Sequence, residues 1–125
     1  MNNARGSTFV PPGWPRMATR IFADDHEGLV RYLVDVFGAT GGFQQNRPSE
    51  IRIGDSVLLI SGITERAARG AILYVYVADT DATYRRALAA GARSLEAPEI
   101  MPYGDRRAMI EDRWGNTWQI ATFRG

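Results

Sequence analysis

Residues 22–40 read FADDHEGLVRYLVDVFGAT and residues 74–92 read YVYVADTDATYRRALAAGA. Both leave an alternating apolar run, pass through two aspartates, continue with apolar residues at helical spacing and stop at Gly-Ala. In the first, Asp24-Asp25 offers a side-chain acceptor for the unpaired amides of a helix start. Leu29, Val30, Leu33, Val34 and Phe37 then make one apolar stripe. Gly38 suits the left-handed position just past a helix. In the second, Asp79-Thr80-Asp81 caps a helix over residues 82–90 that carries Tyr84 and Leu88, and Gly91 stops it.

The pattern extends outward from both helices. Residues 17–23 alternate as a strand before the first helix, and residues 43–45, 50–53 and 56–61 read as short strands after it. Residues 71–77 precede the second helix, and strands follow over residues 93–96, 106–111 and 117–121. The turn Gly54-Asp55 is answered by Gly115-Asn116. One βαβββ unit thus occurs twice, which predicts an α+β fold of two tandem modules, residues 17–63 and 71–125. Residues 64–70 form an Arg-containing linker between them. Residues 1–16 hold three of the six prolines and no periodicity, and read as a flexible arm. Trp14, in PPGWP, is placed to dock on the domain or on a partner subunit.

Composition limits the chemistry. The chain has 125 residues, 45% hydrophobic and 23% charged, with a formal net charge of +1. That balance gives no electrostatic case for nucleic acid or a membrane surface as partner. The longest apolar run, residues 71–78, is far below the roughly 20 residues of a membrane span. The first residues lack the apolar segment of a secretory signal, so a cytoplasmic protein is expected. There are no cysteines, all fifteen basic side chains are arginines, and His26 is the single histidine. Thiolate chemistry, lysine Schiff bases and a His-rich metal site within one chain are excluded. Position alone makes His26 a helix-end residue.

Strand alternation sorts side chains onto two faces. Thr19, Ile21, Ala23, Ile51, Ile53, Leu73, Val75, Val77, Ala108, Ile110, Trp118 and Ile120 form an apolar set that belongs beneath the helices. The opposite set holds Arg20, Phe22, Glu50, Arg52, Tyr74, Tyr76, Arg107, Met109, Glu111, Thr117 and Gln119. Aromatics interleaved with charge on one face point to a lined cleft, with a subunit interface as its main competitor. Tyr74, Tyr76 and Phe22 are suited to stack a flat ligand. Arg20, Arg52 and Arg107 are suited to pair with ligand carboxylate or phenolate groups, or to neutralise Glu50 and Glu111. Trp114, at the turn before Gly115, is expected either at the cavity rim or against the N-terminal arm. Tyr103-Gly104-Asp105 lies in a long loop over residues 97–105, and that loop is the candidate gate.

Four segments, FADDHEGLVRYLVDVFGAT, EIRIGDSVLLIS, YVYVADTDATYRRALAAGA and PYGDRRAMIEDRWGNTWQIAT, resemble the vicinal oxygen chelate superfamily. That group contains glyoxalases, bleomycin-resistance proteins and extradiol dioxygenases, and the glyoxalase-like branch is the nearest likeness. The resemblance runs from about Met17 to Thr122. It implies paired βαβββ modules, a half-open curved-sheet barrel around a cavity with helices on the outer face, and a homodimer. Metal-dependent members use inward His and Glu ligands. The resemblance puts those positions near Ala18, near Ile72 and at Gln119, leaving Glu50 as the one ligand-like carboxylate. No metal and no cofactor are therefore expected.

Two functions follow. One is a metal-independent protein that binds a hydrophobic or aromatic small molecule, as drug-resistance members of the family do. Its ligand contacts would come from Arg20, Phe22, Arg52, Tyr74, Tyr76, Tyr103, Arg107, Met109, Trp114 and Gln119. The alternative is a metal-free acid/base isomerase, lyase or cyclase acting on a carbonyl compound, with Glu50 or Glu111 as the catalytic base and Tyr or Arg stabilising an enolate.

Overall fold

The computed structural model describes residues 9–63 and 68–124. The rest of the expected arm and linker, with Gly125, lies outside the described residues. In chain order the elements are β1 (Thr19–Phe22), α1 (His26–Phe37), β2 (Ser49–Ile53), β3 (Ser56–Ser61), β4 (Ile72–Tyr76), α2 (Thr80–Ala89), β5 (Arg93–Ile100), β6 (Arg106–Glu111) and β7 (Thr117–Thr122). They make an α+β fold with two sheets, ordered β1-β3-β2 and β4-β7-β6-β5, and neither closes into a barrel. Each sheet begins with a parallel pair, β1 on β3 and β4 on β7, and continues antiparallel.

The repeat is incomplete in the first module. No strand forms at residues 43–45. A single antiparallel bridge between Thr40 and Arg52 stands on β2 where β5 stands on β6. The sequence supplies the reason. Gly41 has φ 110°, and a Cβ there would lie 2.4 Å from the Glu50 carbonyl oxygen, so the chain passes β2 too closely for a regular strand. The Gln44 amide then donates to Ser49 Oγ at 2.7 Å, a bond within the turn rather than a ladder bond. In the second module the equivalent strand is longer than expected, reaching Ile100. Register shifts between Ser94 and Glu99 absorb Pro98, which an edge strand tolerates at an irregularity. The long loop therefore shrinks to a turn at residues 101–105, closed by Met101 N–H donating to Asp105 O at 2.8 Å.

Both helices are capped by the aspartates read from the sequence. Asp25 accepts from Gly28 N–H at 3.2 Å and Asp79 from Ala82 N–H at 3.1 Å. Capping by Asp79 starts α2 at Thr80, two residues before the expected start. Gly38, at φ 68°, ends α1 and returns its N–H to Val34 O.

The helices and both sheets share one core. Ile21, Leu29, Leu33, Val36, Ile51, Ile60, Ile110, Trp118 and Ile120 are each at most 2% exposed. Burial of each such side chain stabilises the fold by about 1.5–3 kcal/mol. The Phe37 ring lies 4.6 Å from that of Trp118, so α1 packs across to the second sheet. Arg86 of α2 donates to Val36 O at 3.2 Å, placing a cation at the C-terminal end of α1.

The β6–β7 turn anchors this arrangement. Asp112 is 3% exposed and accepts from the amides of Trp114 and Asn116, from Asn116 Nδ2 and from Trp118 Nε1, all within 3.0 Å. Asn116 Oδ1 in turn accepts from Ala71 N–H at the entry to β4. A buried carboxylate with this many donors is fully satisfied.

Candidate functional site

β1 and β4, the first strand of each module, each have one edge that pairs with no strand among the described residues. Between the modules runs a cleft of about 950 Å³, within the size range of small-molecule sites. Met17 and Thr19 line one side, residues 53–58 of the β2–β3 hairpin another, and residues 73–79 follow the edge of β4. Phe37 and Trp118 form part of its apolar lining. Of the residues expected to bind a ligand, Tyr74 and Tyr76 line this cleft.

The register of the second sheet groups several others around those tyrosines. Tyr74 stands beside Gln119, which stands beside Met109. Tyr76 stands beside Ala121, which stands beside Arg107. The open face of this sheet thus carries Tyr74, Tyr76, Met109, Arg107 and Gln119 together, and the turn at residues 101–105 adds Tyr103 and Asp105. Tyr74 and Tyr76 donate to the same oxygen, Asp105 Oδ2, at 2.7 and 2.9 Å. The Tyr103 hydroxyl lies 3.2 Å from that of Tyr74. The Tyr74 and Tyr76 rings are 5.4 Å apart and inclined at 51°, so their faces form an open angle. Asp105 is 4% exposed, whereas Tyr76 and Tyr103 are 59% and 62% exposed.

These contacts keep the phenols protonated. Burial of the Tyr74 hydroxyl, with its bonds to Tyr103 and Asp105, raises its pKa above the ordinary phenol value. Donation to Asp105 and then burial do the same for Tyr76. A carboxylate beside a phenol opposes a second negative charge.

The first-sheet residues are occupied separately. Glu50 Oε2 accepts from Arg52 Nε and Nη2 at 3.0 and 2.8 Å, and Arg52 Nη1 donates to Gly13 O. The Arg52 guanidinium also stands over Trp14, so the arm docks on β2 of its own chain. Arg20 bonds Ser61 Oγ and covers the ring of Phe22. No hydrogen bond or ion pair among the described residues joins this group to the tyrosines. In the second sheet Arg107 pairs with Glu96, and Glu111 with Arg93. Among the described residues no hydrogen bond or ring contact joins Trp114 to Tyr74, Tyr76, Tyr103 or Trp14. The Trp114 ring packs edge-on against Tyr32, and its Nε1 donates to Asp25 O at the start of α1.

Asp105 and Glu96 were absent from the expected set. Asp105 is two residues before Arg107, hence in phase with the open face, a signal masked by its assignment to a long loop. Glu96 faces Met109 across the ladder, which strand alternation alone does not reveal beyond a register shift.

The ligand positions implied by metal-dependent relatives do not fit a metal. Ala18 and Ile72 carry no donor atom and Gln119 is a neutral amide. Among the described residues no three of His, Asp and Glu converge. No helix among them is long and apolar enough to cross a membrane.

A sequence profile described as Glyoxalase/Bleomycin resistance protein/Dioxygenase superfamily matches residues 16–120. The fold is similar to that of TioX from Micromonospora sp. ML1, with TM-score 0.76 and 22% identity over 88% of this chain and 99% of that one. A glyoxalase/bleomycin resistance protein/dioxygenase family enzyme from Burkholderia phytofirmans PsJN gives TM-score 0.74 and 20% identity, covering 86% of this chain and 97% of that one. The fosfomycin resistance protein FosX from Mesorhizobium loti gives 0.66 and 18%, with 88% and 92% covered. Among curated proteins, none matches the chain.

Proposed function

This chain belongs to the glyoxalase/bleomycin resistance protein/dioxygenase superfamily, and from that premise we propose that it is a metal-independent small-molecule-binding protein. Its ligand is hydrophobic or aromatic and rests on the open face of the second sheet, beside the cleft between the modules. One observation carries this reading. Tyr74, Tyr76 and Tyr103 are exposed, yet the hydroxyls of Tyr74 and Tyr76 bond one buried carboxylate, Asp105, and that of Tyr103 bonds Tyr74. Ordered aromatic rings offer a ligand contact area at little further entropic cost. Met109 and Gln119 extend the surface. A fosfomycin resistance protein shares the fold, and the use we assign to this chain is protective, with a toxic compound sequestered without being changed.

The protein acts as a homodimer in the cytoplasm. On one chain the tyrosine face is open, and a second copy supplies the opposite wall. Because Ala18 and Ile72 offer no metal donor and Gln119 only a neutral amide, ring faces and hydroxyl oxygens hold the ligand.

The acid/base alternative has less support. Glu50 and Glu111 each hold an arginine, and either would have to give up an ion pair to take a proton. Fluorescence titration with the neutral probe N-phenyl-1-naphthylamine tests the binding reading. Saturable enhancement that is lost in the Tyr74→Ala/Tyr76→Ala double variant is expected. Equal enhancement by the double variant would sink it.

A further inference from the structure

The proton order in the tyrosine cluster has a chemical consequence for the ligand. Tyr74 and Tyr76 both give their hydroxyl hydrogens to Asp105 Oδ2. With the Tyr74 hydrogen committed, the 3.2 Å contact between Tyr103 and Tyr74 requires Tyr103 to donate and Tyr74 to accept. All three phenolic hydrogens therefore point along a chain that ends on the carboxylate. What the cluster offers outward is ring faces and oxygen lone pairs. It has no hydroxyl donor left for an anion.

Of the charges on this face, the Arg107 guanidinium is paired with Glu96 and also interacts with the Tyr103 hydroxyl. Asp105 has no arginine partner in an ion pair among the described residues, and phenols donate hydrogen bonds to it without cancelling its charge. A phenol that donates to a carboxylate becomes richer in electrons, which strengthens the attraction of its ring for a cation. The inclined Tyr74 and Tyr76 rings, with Tyr103 beside them, form an aromatic recess backed by negative charge.

We propose that this recess selects an organic cation, a substituted ammonium carried on an apolar or aromatic body, with Asp105 setting the preference through the tyrosines. This rests on the binding reading above and names the ligand class for that surface. It replaces the pairing of arginines with a ligand carboxylate that the sequence suggested.

Calorimetry on the full-length protein tests it with three probes: benzyltrimethylammonium, its neutral isostere neopentylbenzene, and phenylacetate. The cation is expected to bind at least tenfold more tightly than the isostere, and phenylacetate more weakly than both. Raising sodium chloride from about 0.05 to 0.5 M should weaken only the cation, as screening requires. Asp105→Asn, checked for folding by circular dichroism, should remove the tenfold preference. Tyr76→Phe keeps the ring and should lose only part of it. Equal or weaker binding of the cation, no heat from it at millimolar concentration, or an unchanged preference in a folded Asp105→Asn protein overturns the proposal. If N-phenyl-1-naphthylamine still binds in those cases, the binding reading stands and only the cation preference fails. If neither that probe nor the cation binds, both fail.

Discussion

Tyr76 on β4 donates its hydroxyl hydrogen to Asp105 at 2.9 Å, although the tyrosine is 59% exposed and the aspartate 4%. The bond joins an exposed edge strand to the buried residue just before β6 and fixes which atoms the site presents. It also makes a prediction about titration. The folded-state pKa values of Tyr74 and Tyr76 are raised, so their stabilising effect is complete below the unfolded phenol value of about 10. It is lost as pH climbs above that value, because the unfolded chain releases those protons first. Alkaline titration followed at 295 nm should therefore lag behind that of the denatured chain. Asp105→Asn should bring part of the lagging absorbance to lower pH, and an unchanged curve would refute the role given to Asp105.

Asp112 concentrates stability in the turn between β6 and β7. Replacement by Ala would leave the amides of Trp114 and Asn116 and the Trp118 indole without their acceptor in a buried setting. A loss of about 2–4 kcal/mol is expected, read as a fall in Tm on the order of 10 °C. Arg93→Ala, which removes an ion pair with a largely exposed arginine, should change Tm little. Similar shifts for the two variants would show that the buried network adds nothing special.

The contrast between these two residues indicates how much of the molecule was legible in the sequence. Capping aspartates, helix stops and the alternation that buries Ile51, Ile110 and Ile120 are local signals, and they specified the helices and the core. The absence of a strand at residues 43–45 depends on Gly41 meeting Glu50, a contact between separate segments. The reach of β5 past Pro98 depends on register shifts against β6. Site residues followed the same division. Tyr74 and Tyr76 follow from period two, but the acceptor that orders them sits in a turn at residues 101–105 that in sequence reads as part of a longer loop. A turn indole suggests a cavity rim or the N-terminal arm as its neighbour; the contacts of Trp114 are with Tyr32 and Asp25, which lie far away in sequence.

The metal-free reading has its own test. With Ala18, Ile72 and Gln119 at or near the positions that the resemblance implies for metal ligands, dialysis against EDTA should leave probe affinity within about twofold and Tm unchanged, since a bound ion stabilises only the state that holds it. Elemental analysis of the purified protein should find metal well below one equivalent. A stoichiometric ion whose removal abolishes binding would reverse the reading.

The edge of β4 bears on the assembly. Its sequence, ILYVY, has no charge and no proline, and Ile72 is 76% exposed. Edge strands are commonly protected by charge, proline, bulges or a covering element, because unpaired amides and carbonyls invite a further strand. Here the cleft lies along that edge. Leu95, Ile100, Tyr103 and Phe123 add exposed apolar area in the second module. A second copy of the chain is the occupant we assign, so sedimentation equilibrium should give twice the chain mass of 13.9 kDa. Ile72→Asp puts a charge into that contact without touching the core, and should raise the dimer dissociation constant by at least tenfold while leaving the circular dichroism spectrum intact. A wild-type protein that stays monomeric at tens of micromolar would remove the second copy as the cover for this edge. Probe binding by such a monomer would then locate the whole site within one chain.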